Sequence, residues 1–133
     1  MLVSEIACGV LVGVLWGVTN PLIKRGGQLV EKRKAEAATS AGGGVPGWAA
    51  DWAALLSTPS FLVPQVINQC GSALFVLLLG GDARLSTVVP LANATSLAAN
   101  ALADVALGER YRVQLLLPSV ALVAGGLLLC SSA

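Results

Sequence analysis

The 133-residue sequence contains no histidine and is poor in charge: eight Lys and Arg and seven Asp and Glu make up 11% of it. Missing histidine removes the commonest general base and a common metal ligand. The carboxylates form no pair at a plausible working distance, no phosphate-cradling Gly-x-x-x-x-Gly-Lys occurs, and no Ser or Cys has a recognisable base beside it. The sequence therefore predicts a protein that is not an enzyme and takes no cofactor or metal. Net charge is only +1 and aromatics are scarce at 5%, so no basic surface interleaved with stacking rings exists, and nucleic acid is excluded as a partner. The three cysteines, Cys8, Cys70 and Cys130, stand singly inside apolar runs without C-x-x-C spacing, and read as small packing residues.

What is abundant is apolar surface: 56% of residues, with a mean hydropathy of +0.80. So few charges cannot coat a soluble domain of this size. The composition is that of an all-α, integral, multi-pass membrane protein whose first partner is the lipid bilayer. Four apolar runs predict a four-transmembrane-helix bundle, a single domain, with spans at residues 2–23, 60–80, 85–107 and 113–131. A helix of about 20 residues covers a hydrocarbon core of about 30 Å. A soluble helical bundle would need polar outer faces, which the fourth run lacks.

In the first run Gly9, Gly13 and Gly17 recur at intervals of four on one face, letting another helix approach closely in lipid; the plainer reading is that glycine is simply common in membrane helices. Lys24 and Arg25 follow this run instead of preceding it, the reverse of a cleavable signal peptide. Trp16 and Lys24 are candidate interfacial anchors. Residues 26–59 read as a flexible linker: a charged part holding Lys32, Arg33 and Lys34, then Ala/Gly/Ser low complexity over 37–47. Beyond it Trp48, Trp52, Leu55 and Leu56 share a face, so 48–57 reads as a short helix in the membrane interface or as a loop with two tryptophans.

Two polar stripes interrupt the apolar runs. In the second run Gln65, Asn68, Gln69 and Ser72 fall on one helix face; in the third Ser86, Asn93, Ser96, Asn100 and Asp104 share a narrow sector. Amides and carboxyls facing acyl chains go unsatisfied, so both stripes should face other helices or a hydrated cavity. The short connection between the two runs predicts antiparallel neighbours with facing stripes, serving either as glue or as a cavity lining. Asn93-Ala94-Thr95 matches a glycosylation sequon but lies within a span, out of the transferase's reach. The fourth run carries a small-residue patch, Ala121, Gly125 and Gly126, suited to contact with a second copy of the chain or with the first helix. Glu109, in the turn before it, is expected to pair with Arg110 or Arg112.

Three elements lie in order along the chain: Trp16-Gly17-x-Thr19-x-Pro21 running into Lys24, then Asn68-Gln69-Cys70-Gly71-Ser72, then Pro90 followed by Leu107-Gly108-Glu109. Together they resemble the transmembrane protein 234 family of eukaryotes, a branch of the drug/metabolite transporter (DMT) superfamily, over nearly the whole chain apart from the Ala/Gly linker. The resemblance implies a four-helix unit like half of a ten-helix EamA-type transporter, similar in size to the small multidrug resistance proteins that act as antiparallel dimers. It implies no particular substrate. Where those small transporters carry a proton-coupling glutamate this chain has Trp16, and its remaining candidates are Glu5, near the membrane surface, and Asp104. Proton-coupled antiport is therefore not expected.

The functional expectation is a small-molecule transporter acting as a homodimer, with Gln65, Asn68, Gln69, Ser72, Asn93, Ser96, Asn100 and Asp104 lining a cavity for a neutral or zwitterionic solute. The alternative is a non-transporting scaffold or accessory subunit that binds another membrane protein. Seven of the eight basic residues fall in the first and third connections, so positive-inside counting places those in the cytoplasm and both termini outside.

Overall fold

The computed structural model describes residues 2–40, 47–81, 84–110 and 113–132, and the regular structure among them is all α-helix. The helices are α1 (Leu2–Ser40), α2 (Gly47–Leu56), α3 (Pro59–Leu79), α4 (Leu85–Ala106) and α5 (Val113–Ser132).

α1 is 39 residues long, and at 1.5 Å per residue it extends about 58 Å, nearly twice a hydrocarbon core. The flexible linker expected over 26–59 is therefore corrected. Residues 28–38 consist mostly of Gln, Leu, Glu, Lys, Arg and Ala, strong helix formers that carry α1 onward past Ile23. Glu31 and Lys34 add an (i, i+3) ion pair at 3.3 Å. Lys34 also reaches Asp51 of α2 at 3.0 Å, and the hydrogen bond its ammonium group donates to that carboxylate raises its pKa. Of the Ala/Gly/Ser stretch, residues 41–46 lie outside the described residues. The 48–57 segment is largely helix, ending at Leu56.

Among the described residues two helices, against four expected, are long and apolar enough to cross a membrane: Val3–Glu36 within α1, and Pro59–Leu79. The Asn and Ser residues of α4 dilute its hydropathy, and α5, 20 residues long, contains the apolar helical stretch Leu117–Cys130.

α1 is the centre of the arrangement, with α3 along one side of it and α4 along another. Moving up α1, Trp16 meets Phe75, Thr19 meets Asn68 and Gly26 meets Phe61, so α3 runs antiparallel to it. Gly9 meets Val88, Gly13 meets Ala92 and Gly17 meets Ser96, so α4 runs parallel. The expectation of α3 and α4 as direct neighbours with facing stripes is corrected, because α1 stands between them. The glycines explain this. A methyl group on Gly13 would sit 2.5 Å from the Ala92 carbonyl oxygen and 2.7 Å from Thr95 Cβ, so bare glycine lets α1 approach the α4 backbone in place of α3. Gly26 does the same against the start of α3, where an added carbon would lie 2.5 Å from Phe61 Cα.

The core this produces is thin, with Val12, Val30, Val88 and Ala92 all at most 2% exposed. Large apolar side chains instead point outward, among them Leu102, Leu122 and Leu129, each more than 70% exposed. Such a surface is unstable in water and ordinary in lipid. Cys8, Cys70 and Cys130 are free and exposed on this surface, which corrects the reading of them as packing residues.

α4 closes on Gly108, whose φ of +88° suits glycine. The amides of Gly108 and Glu109 bond back to the carbonyls of Val105 and Asp104, both at 2.9 Å, forming a Schellman cap. This presents Glu109 to Lys24 at 3.2 Å, while the Arg25 guanidinium donates to the Leu107 carbonyl. The partner of Glu109 is thus Lys24 and not Arg110, because the parallel register brings Lys24 level with the end of α4. α5 then turns back along α4.

Candidate functional site

Two places gather polar side chains within this apolar frame: the seam between α1 and α3, and a groove between α4 and α5.

In the seam, the helical period brings Trp16, Thr19 and Asn20 toward the face of α3 that carries Asn68, Gly71, Ser72 and Phe75. The Asn68 amide donates to the Thr19 hydroxyl at 2.8 Å and to the Asn20 side-chain oxygen at 3.4 Å. Thr19, only 4% exposed, donates in turn to the carbonyls of Leu15 at 2.7 Å and Trp16 at 3.2 Å. Ser72 bonds within its own helix, to the Asn68 carbonyl at 3.3 Å. The Trp16 ring meets Phe75 edge to face, with centroids 5.0 Å apart. Its indole nitrogen is buried with no hydrogen-bond partner among the described residues. Gly71 makes room for it, since an added methyl group would lie 3.1 Å from that nitrogen. Trp16 therefore sits between helices instead of anchoring at the interface.

The stripe of α3 is thus divided. Asn68 is tied to α1, Ser72 to its own backbone, Gln65 is half-buried and Gln69 points outward. The stripe of α4 divides too. The backbone of Ser96 and Asn100 lies against Gly13 and Gly17, Asn93 is exposed and Asp104 is half-buried. Thr19 and Asn20, which complete the seam, are absent from the stripe residues because period-matching within one helix does not reveal a partner on another.

The side chain of Asn100 leads to the second place. It lines an open groove of about 650 Å³ between α4 and α5, walled by aliphatic side chains such as Leu97, Ala101 and Val123, with Ser119 and Arg110 its other polar residues. Ser119 spends its hydroxyl on the Leu115 carbonyl at 2.7 Å. Asn100 is half-buried and makes no side-chain hydrogen bond among the described residues, leaving an amide available to something entering the groove. A smaller hollow of about 280 Å³, which includes Ser86 and Thr87, lies at the other end of α4. The patch on α5 faces away from α1: Ala121 is exposed, and methyl groups added to Gly125 and Gly126 would meet nothing within 4 Å. Among the described residues no three His, Cys, Asp or Glu side chains group to hold a metal ion.

The chain matches the family described as "Putative transmembrane family 234" over residues 10–131. It is similar to the Transmembrane protein 234 homolog of Dictyostelium discoideum, with 36% identity over 100 residues covering 75% of this chain and 73% of that protein. To the Transmembrane protein 234 homolog of Anopheles gambiae it is 34% identical over 120 residues, 90% of this chain and 81% of that one. No solved structure matches.

Proposed function

We propose, from the premise that this chain belongs to transmembrane family 234, that it is a multi-pass membrane protein of drug/metabolite transporter descent which carries a small solute as a homodimer. In this reading α1, α3, α4 and α5 all cross the bilayer and α2 does not. At 22 and 20 residues, α4 and α5 are about 33 and 30 Å long, enough to cross once the polar face of α4 is turned from lipid. The chain binds and releases its solute and catalyses no reaction.

The observation that carries the reading is Asn100: a half-buried amide, unpaired among the described residues, in a groove of about 650 Å³ whose walls are mostly aliphatic, with Ser119 and Arg110 the other polar residues. A mostly uncharged lining suits a neutral or zwitterionic solute. One copy leaves the groove open on its outer side, and a second copy would close it, using the face of α5 that carries Ala121, Gly125 and Gly126. Purified protein reconstituted into vesicles should show counterflow of at least one solute from a neutral and zwitterionic panel.

A second reading rests on a different observation. The Asn68 amide is satisfied by Thr19 and Asn20, which makes that part of the α3 stripe internal glue, and neither the groove beside Asn100 nor the smaller hollow reaches the α3 stripe. That pattern favours a non-transporting scaffold whose outward α5 face binds another membrane protein. Vesicles without flux, together with an Asn100 variant that merely lowers thermal stability, would favour the scaffold.

A further inference from the structure

α2 is absorbed neither by the bundle nor by the transport reading. It holds only ten residues, none of them buried, and its large side chains are left outside: Trp48 is 69% exposed, Trp52 60% and Leu56 61%. At 100° per residue these three fall within a sector of about 80°. The helix is nevertheless firmly held. Lys34 grips Asp51 at 3.0 Å, and Arg33 donates to the Ser57 carbonyl at 2.8 Å and to the Thr58 hydroxyl at 3.1 Å. Thr58, 1% exposed, donates to the Ala54 carbonyl at 2.7 Å. The guanidinium thus sits at the C-terminal end of α2, where unpaired carbonyls and the helix dipole favour a cation. Adjacent residues of α1 thus hold Asp51 within α2 and Ser57 just past its end.

Two indoles and a leucine on one face of a helix clamped to the charged end of α1 are suited to the headgroup layer. There an aromatic body meets acyl chains and the ring N–H meets water and phosphate. The surrounding charge chooses between lipid surfaces. Lys24, Arg25, Lys32, Arg33, Lys34 and Arg110 belong to this end of the molecule, against Glu31, Glu36, Asp51 and Glu109, and Lys32 is exposed beside α2. The surplus is positive and complements anionic headgroups.

We infer that α2 is an interfacial membrane-binding helix, seating Trp48, Trp52 and Leu56 among the anionic headgroups of the leaflet that faces the Lys24 end of the bundle. Because Arg33 and Lys34 fix it to α1, it sets the depth at which α3 enters the bilayer.

The test uses the full-length protein in vesicles. Trp48→Phe and Trp52→Phe variants, subtracted from wild type, isolate the emission of each indole, and Trp16 in the α1–α3 seam supplies an internal reference. Phosphatidylcholine brominated near the glycerol end of its acyl chains should quench the Trp48 and Trp52 emission at least twofold, with iodide in the aqueous phase quenching it little. Replacing a quarter of the lipid by phosphatidylserine should strengthen the lipid quenching. Emission open to iodide and untouched by brominated lipid would overturn the proposal, as would docking of α2 on a protein partner that shields it from both. Quenching insensitive to phosphatidylserine would overturn the assignment to an anionic surface.

Discussion

The side-chain amide of Asn68 donates to the hydroxyl of Thr19 at 2.8 Å, across 49 positions of sequence, and joins one face of α3 to its antiparallel neighbour α1. Hydrogen bonds between helices in lipid contribute about 0.6 to 2 kcal/mol. Asn68→Ala and Thr19→Val should each lower the thermal unfolding temperature in detergent by a few degrees. The double variant should cost clearly less than the sum, because both changes remove the same bond. Fully additive losses would mean that the two residues act independently.

The glycines of α1 and of α5 should behave in opposite ways. A methyl group at Gly13 meets the Ala92 carbonyl at 2.5 Å, whereas one at Gly125 meets nothing within 4 Å. Gly13→Val should therefore destabilise the bundle by at least about 1 to 3 kcal/mol, the usual cost of overpacking. Gly125→Leu should leave the monomer's unfolding temperature unchanged and lower the crosslinked dimer fraction in native membranes. Crosslinking unaffected by Gly125→Leu would remove α5 from the dimer contact.

Lys24 and Glu109 are half-exposed at 3.2 Å, so their ion pair contributes modestly, about 0 to 1 kcal/mol. Reversing either charge should produce a small loss of stability, and exchanging the two should restore it. A swap as unstable as the single reversals would mean that the Arg25 contact to the Leu107 carbonyl, and not the ion pair, secures the α4–α5 turn.

Lys34 binds its proton more tightly in the folded chain than in the unfolded one, because Asp51 accepts a hydrogen bond from it. The contribution of that contact is fully present below the ordinary value of 10.5 and is lost as pH rises through the higher folded value. The emission of Trp48 and Trp52 should therefore shift above pH 10.5 in wild type, and Asp51→Asn should produce the same shift near neutral pH. An Asp51→Asn variant with wild-type emission throughout would mean that Arg33 alone holds α2.

Helix positions were legible from apolar runs and turn residues, and the ends of α3, α4 and α5 fall within a few residues of the expected spans. The continuation of α1 was not, because a charged stretch such as 28–36 reads equally as solvated helix or as loop until Asp51, Ser57 and Thr58 give its cations partners. Helix neighbours were the weakest point. A short connection makes α3 and α4 adjacent in sequence, but the flat glycine face of α1 competes for α4 through a closer backbone approach, and a single-helix pattern cannot rank such competitors. The same limit hid Thr19 and Asn20, whose role exists only opposite Asn68, and the groove beside Asn100, whose walls come half from α5.

Solute flux through reconstituted vesicles, measured alongside the unfolding temperature of the same preparations, separates a transporter from a scaffold. The wild-type protein should show counterflow of a neutral or zwitterionic solute, with at least a tenfold loss in Asn100→Ala and no change in that variant's unfolding temperature. No flux from wild type with any solute of the panel, together with a lowered unfolding temperature in Asn100→Ala, would contradict transport and leave Asn100 a packing residue of a membrane scaffold.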